Sequence, residues 1–473
     1  MIKLNKRITL TALIFIATLF LLILLLNVEL NSIIKFILAV ISLTCAGTIL
    51  QSIWNISGFG GLMLLRTQRG VDYLDKIARL SPTLWKFFAD SGLVFGFGLF
   101  SIFLFPDLKK NIKYYAIVIP LSLFIILLFF LFAIPHILPL ASSLISGIDL
   151  IAVSKEKSKG LIGDETFIYL SALIIFVGGF AIFSLIGLFY YSLTISIAVL
   201  RFIFNSDLRI KVMEPGASLL LPGINLPLWE GIIALLVLLF VHETAHGILS
   251  RVSKIRVDSA GLVLFGIIPV GAFIEPNESE LLSADNLTQK RVLIAGSAAN
   301  FVFSIFSFFI LSIFVILSSD LRQPALYILS GNSELESGAI IRAIDSQPIS
   351  ENFELPKFSA GQKVRLLTDK GEKTLIADEN GRLGVLYVPL SNHGIGWRFV
   401  WKDGFESLNF IYSTIALLFL LNFIVGVVNL LPLPFFDGQR IFELSVNDKR
   451  IVNAITAGVT AAFLLNFLPW LFK

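Results

Sequence analysis

Residues 167–200 form a run without a single charged side chain. The hydrocarbon core of a bilayer is about 30 Å thick, and a helix needs about 20 apolar residues to cross it. In lipid every backbone N–H and C=O must be satisfied within the segment, so such a run is read as a helix in a membrane. Further apolar runs lie at 8–27, 33–53, 91–105, 114–139, 228–250, 292–318, 405–431 and 451–471. The expected fold is a polytopic α-helical membrane protein with about nine transmembrane helices. Composition agrees. The chain is 56% hydrophobic and 15% charged, whereas soluble domains average about 45–50% and about 25%.

Charge excludes some function classes and orients the chain. A net charge of +4 suits basic cytoplasmic loops and gives no reason to expect a nucleic-acid partner. Cys45 stands alone, which excludes an intrachain disulfide and a cysteine metal site. Lys3, Lys6 and Arg7 precede the first apolar run, and no small-residue cleavage site follows it, so it reads as a retained helix. The segment 165–203 is either one tilted helix or two helices hinged near Gly178-Gly179. Loop charges favour one crossing. It puts Arg251, Lys254, Arg256, Lys449 and Arg450 on the cytoplasmic side with Lys155, Lys157 and Lys159. Lys109, Lys110 and Lys113 then fall outside, against the rule.

Four regions follow. Residues 1–204 are an N-terminal transmembrane region with a cytoplasmic amphipathic segment at 54–90, carrying Arg66, Arg69, Asp72, Asp75, Lys76, Arg79 and Lys86. Residues 205–319 and 403–473 are two halves of a core. Between them, 320–402 is polar, with β-type runs "KVRLLT", "KTLIA" and "LGVLYV" between Gly and Asp/Asn turns. It reads as a small mixed α/β aqueous insert, expected on the side opposite Arg251.

The stretch "VHETAHGILS", 241–250, places two of the four histidines and a glutamate inside an apolar helix. Residues four apart share a helix face. His242 and His246 can therefore hold one metal ion, and Glu243 can reach a water beside it, the H-E-x-x-H zinc signature. Counted from Leu228, His242 lies about 21 Å along the helix, at about 1.5 Å per residue, which is within membrane depth. A helix-packing polar patch or a proton pathway is the bland alternative.

A third ligand is needed, with one position left open. Leu249 and Val252 stand where a metzincin would have Gly and His. His136 and His393 remain possible, and Glu275 and Glu280 would suit a membrane-anchored zincin. The better candidate is Asp437 in "NLLPLPFFDGQR", 429–440. Pro432 and Pro434 interrupt the helix there, and irregular backbone at membrane depth is tolerated only around a cavity or inside protein.

HETAH at 242–246, "GAFIEP" at 271–276, "AGSAAN" at 295–300 and "NLLPLPFFDG" at 429–438 resemble, in order and spacing, the site-2 protease family of intramembrane zinc metalloproteases. The resemblance covers roughly residues 205–471. It implies that His242, His246 and Asp437 ligate Zn²⁺ and that Glu243 is the catalytic acid/base. It places Asn300 and Asn429 near the site. Phe436, Gln439 and Ser297 depart from the common pattern without removing a ligand. "SGAIIRAIDSQPI", 337–349, is similar to the carboxylate-loop region of PDZ domains, which take an extra strand from a peptide.

The expected function is intramembrane endoproteolysis of membrane-protein substrates by an integral, multi-pass protein of a prokaryotic cell membrane. A substrate helix must unwind first, because its carbonyls are already hydrogen-bonded. The β-prone "GIIPVGAFIEP", 266–276, is expected to offer an edge strand, with Gly271 and Phe273 as substrate contacts. Asn300 and Asn429 are expected to hold the substrate, helix–helix hydrogen bonding being the alternative role. A protease for soluble proteins and a non-enzymatic transporter stay open. Substrate identity, regulating signal and oligomeric state are not written in the sequence.

Overall fold

The computed structural model describes residues 2–28, 32–146, 164–205, 213, 215–217, 220, 222, 226–330, 334–335, 339–350, 353, 356–369, 371–390 and 400–472. Among these residues nine helices are long and apolar enough to cross a membrane. The chain is an integral, multi-pass membrane protein. Lys155, Lys157, Lys159 and His393 lie outside the described residues, as does the side chain of His136.

The chain runs through α1 (Ile2–Asn27), α2 (Ser32–Trp54), β1 (Gly58–Phe59), β2 (Leu62–Thr67), α3 (Gln68–Leu80) and α4 (Pro82–Phe97). Next come α5 (Ile112–Ser146), α6 (Asp164–Asn205) and α7 (Leu228–Val252), then β3 (Val257–Phe265), β4 (Ile268–Pro276), α8 (Glu278–Ser283) and α9 (Asn286–Leu317). After the insert come α10 (Leu408–Val428), α11 (Asp437–Glu443) and α12 (Lys449–Leu465). Local chemistry explains boundaries that hydropathy misses. The third span begins at Pro82, not near 91, because Ser81 caps it by accepting from the Leu84 amide and Pro82 at the first position loses no hydrogen bond.

α6 covers 42 residues and breaks at Gly179, with φ 67° and ψ −170°. A straight helix of that length would measure about 63 Å, at about 1.5 Å per residue. The break falls at the Gly178-Gly179 pair, where the backbones of Gly96 and Phe97 leave no space for a Cβ on Gly179.

Internal contacts divide the chain into two units. The first comprises 1–127, 173–304 and 421–473, the second 128–172 and 305–420. The first contains an antiparallel sheet of order β1-β2-β3-β4. This corrects the reading of 54–90 as a single amphipathic segment. Only α3 fits it, burying Val71, Leu74 and Ala78. Residues 62–67 instead pair with β3, from Leu62↔Phe265 to Thr67↔Ala260. A short strand is stabilised by its partner more than by its own propensity, and this partner lies far along the chain. Both hairpin turns abut the middle of α2. Gly61 packs on Gly47 and Thr44, and Gly266 packs on Leu43, so glycine gives the turns their close approach.

In the second unit, the insert holds β5 (Arg322–Gln323), β6 (Ala325–Ser330), β7 (Ile340–Ile344), β8 (Gln347–Pro348), β9 (Lys363–Thr368), β10 (Gly371–Ile376), β11 (Leu386–Leu390) and β12 (Val400–Trp401). The sheet order is β10-β9-β7-β6-β11, with β8 on β7, while β5 pairs with β12. Alternation along β9 buries Val364, Leu366 and Thr368. Val364 and Leu366 pack with Leu326, Ile328, Ile341 and Leu375 in a small core of their own. The described residues of the insert form strands and turns, with no α-helix among them.

Candidate metal centre and active site

Helix α7 presents two stripes. On one, His242 and His246 stand one turn apart, buried and half-buried respectively. On the other, residues at four-residue spacing meet four successive partners. Leu239 approaches Gly271, Glu243 binds the Ile274 amide, Gly247 makes room for the side chains of Ile274 and Leu74, and Arg251 binds Asp75 of α3. The Arg251 hydrogen bonds hold the Asp75 carboxyl below the usual carboxylate range.

Asp437 reaches the first stripe because the chain breaks after α10. Its approach loop passes Pro432 and Pro434, and Phe435 adopts φ 74°, a left-handed conformation uncommon for a bulky residue. The Gly438 amide then donates to the Asn429 carbonyl at 2.7 Å. A Cβ on Gly438 would overlap the Leu430 backbone, so this closure requires glycine.

The three side chains form a group able to hold a metal ion. His246 Nε2 lies 3.1 Å from His242 Nε2. Asp437 Oδ2 lies 3.5 Å from His242 Nε2 and 3.3 Å from His246 Nε2. Ligands about 2.0–2.1 Å from a tetrahedral metal are separated from one another by about 3.3–3.4 Å. The donor set fits three corners of such a site and leaves the fourth for water or substrate.

Neighbouring groups set the ring orientations. His246 Nδ1–H donates to the Val292 carbonyl at 2.8 Å, which leaves the Nε2 lone pair for a metal. Asn300 is fully buried and its Nδ2 lies 3.0 Å from His242 Nδ1. Its Oδ1 has no hydrogen-bond partner. A half-turn of the amide exchanges the two atoms, and Oδ1 then accepts from His242 Nδ1–H, which would leave the Nε2 lone pair for a metal. Asn429 Nδ2 lies 3.3 Å from His242 Nε2. Both asparagines thus gather at the cluster. Asn300 contacts the His242 ring at Nδ1, and half-buried Asn429 approaches the same ring at Nε2.

Gly271 and Phe273 are not brought to the cluster. A Cβ on Gly271 would come 3.2 Å from Leu239 Cδ1, so its smallness seats β4 on α7. Phe273 lies over Gly261, with the Arg66 guanidinium 5.8 Å from its ring centre. The alternative third ligands are engaged elsewhere. Glu275 binds Arg66 and Ser259, and Glu280 accepts from the Arg256 amide.

One supporting arrangement has no counterpart in the sequence reading. Asp90 of α4 is fully buried and takes a bidentate pair from Arg291 of α9, both bonds 2.7 Å, with Tyr114 donating to it at 2.9 Å. Arg291 directly precedes Val292, whose carbonyl holds His246. Close packing of Gly92 on Ala298 joins the same two helices. The available signal was an Asp inside one apolar span and an Arg beside Lys290 at the start of another, since buried opposite charges pair there.

The family model described as "Peptidase family M50" matches residues 230–467. The chain is also similar to "Uncharacterized protein MJ0971" of Methanocaldococcus jannaschii, with 28% identity over 234 residues, 47% of this chain and 58% of that protein. The match therefore spans less than two thirds of the relative's length.

Proposed function

The chain belongs to peptidase family M50, the site-2 protease family of membrane metalloproteases, and on that premise we propose that it is a zinc endopeptidase cutting transmembrane segments of other membrane proteins in a prokaryotic cell membrane. One observation carries the reading. Two Nε2 atoms and a carboxylate oxygen stand 3.1–3.5 Å apart, and the histidines project from a helix long and apolar enough to span a bilayer.

His242, His246 and Asp437 would hold the zinc, which would polarise a peptide carbonyl and make a nearby water easier to deprotonate. Glu243 takes a proton from the attacking water and returns it to the leaving amine. Asn429, whose Nδ2 lies 3.3 Å from His242 Nε2, donates its side-chain amide to the carbonyl oxygen as charge develops there. β4 is the last strand of its sheet, so its outer edge can pair with an unwound substrate segment.

The experiment uses the full chain in bilayer nanodiscs with synthetic transmembrane peptides. One set is Leu-rich and uninterrupted, and the other carries a central Asn-Gly pair. The expected cut, located by mass spectrometry, lies within the apolar segment, and the interrupted peptide is cut faster because its backbone is easier to expose. Cuts confined to extramembrane flanks and indifferent to the interruption would overturn the intramembrane reading and favour a membrane-anchored protease for soluble chains.

A further inference from the structure

The alternation of an antiparallel strand decides which groups of β4 face outward. The Asn277 amide donates to the Arg256 carbonyl at 2.7 Å, so position 277 faces β3. The irregularity between Val257 and Ser259 puts the extra residue, Asp258, on β3 and leaves β4 in phase. Glu275 and Phe273 therefore face β3, while Pro276, Ile274 and Ala272 face the free edge. Ile274 agrees, since its amide donates to Glu243 Oε2 at 3.2 Å, a partner outside the sheet. Pro276 has no N–H. Over this stretch the outward donors are Ala272 and Ile274, and the second already serves the catalytic carboxylate.

We infer that Glu243 ends the substrate's ladder on β4: the Ile274 amide belongs to Glu243, the substrate strand pairs through Ala272, and this stop sets the register that leaves the scissile peptide beside the second oxygen of Glu243. The inference rests on the reading of β4 as the substrate's partner. A hydrogen bond to a carboxylate is about twice as strong as one between neutral groups, so an incoming strand does not displace it. The geometry is held from both sides. Gly247, one turn beyond Glu243, admits the Ile274 side chain, where a Cβ would approach Ile274 Cδ1 to 2.8 Å. Ile274 thus acts through Glu243 as a positioning residue, and the peptide edge is shorter by one donor than the strand's length implies.

Glu243→Gln and Glu243→Ala separate the possibilities, because the Gln side-chain oxygen still accepts from Ile274 and the Ala methyl cannot. Residue-resolved amide exchange is measured on the metal-loaded full chain, with and without a synthetic apolar peptide of about 20 residues bearing a central Asn-Gly pair. In Glu243→Gln the peptide should slow exchange at Ala272 about tenfold and leave Ile274, already protected, unchanged. In Glu243→Ala, Ile274 should exchange about tenfold faster without peptide and become protected with it, and the peptide should bind about fivefold tighter than to Glu243→Gln. Glu243→Asp, one methylene too short to reach, should behave as Ala does and stands in if Ala misfolds. Equal slowing of both amides in Glu243→Gln, or an Ile274 equally protected in all variants without peptide, would overturn the ladder stop and leave the edge reading intact. A bound peptide that protects neither amide would overturn the edge reading itself.

Discussion

Gly296 of α9 faces His242 so closely that a Cβ on the glycine would overlap the imidazole at Cε1 and Nε2, and would strike His246 Nε2 as well. Alanine is a better helix former than glycine, so Gly296→Ala should leave α9 helical and disturb only the rings. The expected loss of metal affinity is about 10–100-fold, read by competition with a chelator. Unchanged affinity would show that the rings have slack the packing does not reveal.

His246→Ala and Asp437→Ala each leave two ligands, too few for a stable site, and should purify with little metal. Glu243→Gln should keep its metal and lose about 10²–10⁴-fold in turnover. Metal analysis beside a cleavage assay separates the two classes. Stripping the metal from the wild type should also lower its thermal midpoint, because an ion bound only to the folded state stabilises that state.

Asp90 and Arg291 make the third test. Asp90→Leu leaves a guanidinium buried without its partner, at a cost of about 3–5 kcal/mol. The double variant Asp90→Leu/Arg291→Met should recover most of that stability in thermal unfolding, since an apolar pair can replace a buried ion pair. The single variant should also bind metal more weakly, because Arg291 precedes the carbonyl that orients His246.

The insert closes on itself. Gln323 pairs with Val400 and Arg322 with Trp401, so the chain enters and leaves through neighbouring strands. The Arg322 guanidinium also holds the end of α9, donating to the Val315 carbonyl at 2.6 Å. Replacing 324–399 by a short turn should therefore preserve metal binding while changing which peptides are cut. Loss of metal in that variant would make the insert part of what holds the helices.

Hydropathy and helical spacing are local properties, and what depends on them was legible. The expected helices reappear, shifted at their ends by caps such as Ser81. His242, Glu243 and His246 share one helix, so their geometry follows from 3.6 residues per turn. Asp437 was legible for another reason. Two prolines and a glycine beside a carboxylate at membrane depth have few uses, and the structure brings that carboxylate within 3.5 Å of both rings.

The sequence by itself determined a helical membrane protein with a metal-ligand motif on one of its helices, because burial in lipid leaves the backbone few alternatives. Only the tertiary structure decided the pairings between distant segments. Nothing local in "LMLLRT" says that it pairs with β3 rather than extending the amphipathic segment around it. Gly271 and Phe273 of β4 are the substrate contacts that the sequence leads one to expect. Yet the pairing with β3 turns the Phe273 backbone inward and leaves Ala272 and Ile274 outward, since side chains and backbone groups alternate with period two and one step in register exchanges their roles. The same limit hid Asp90 and Arg291. Each charge was visible, and the bidentate bond joining them exists only once α4 and α9 have packed through Gly92 and Ala298.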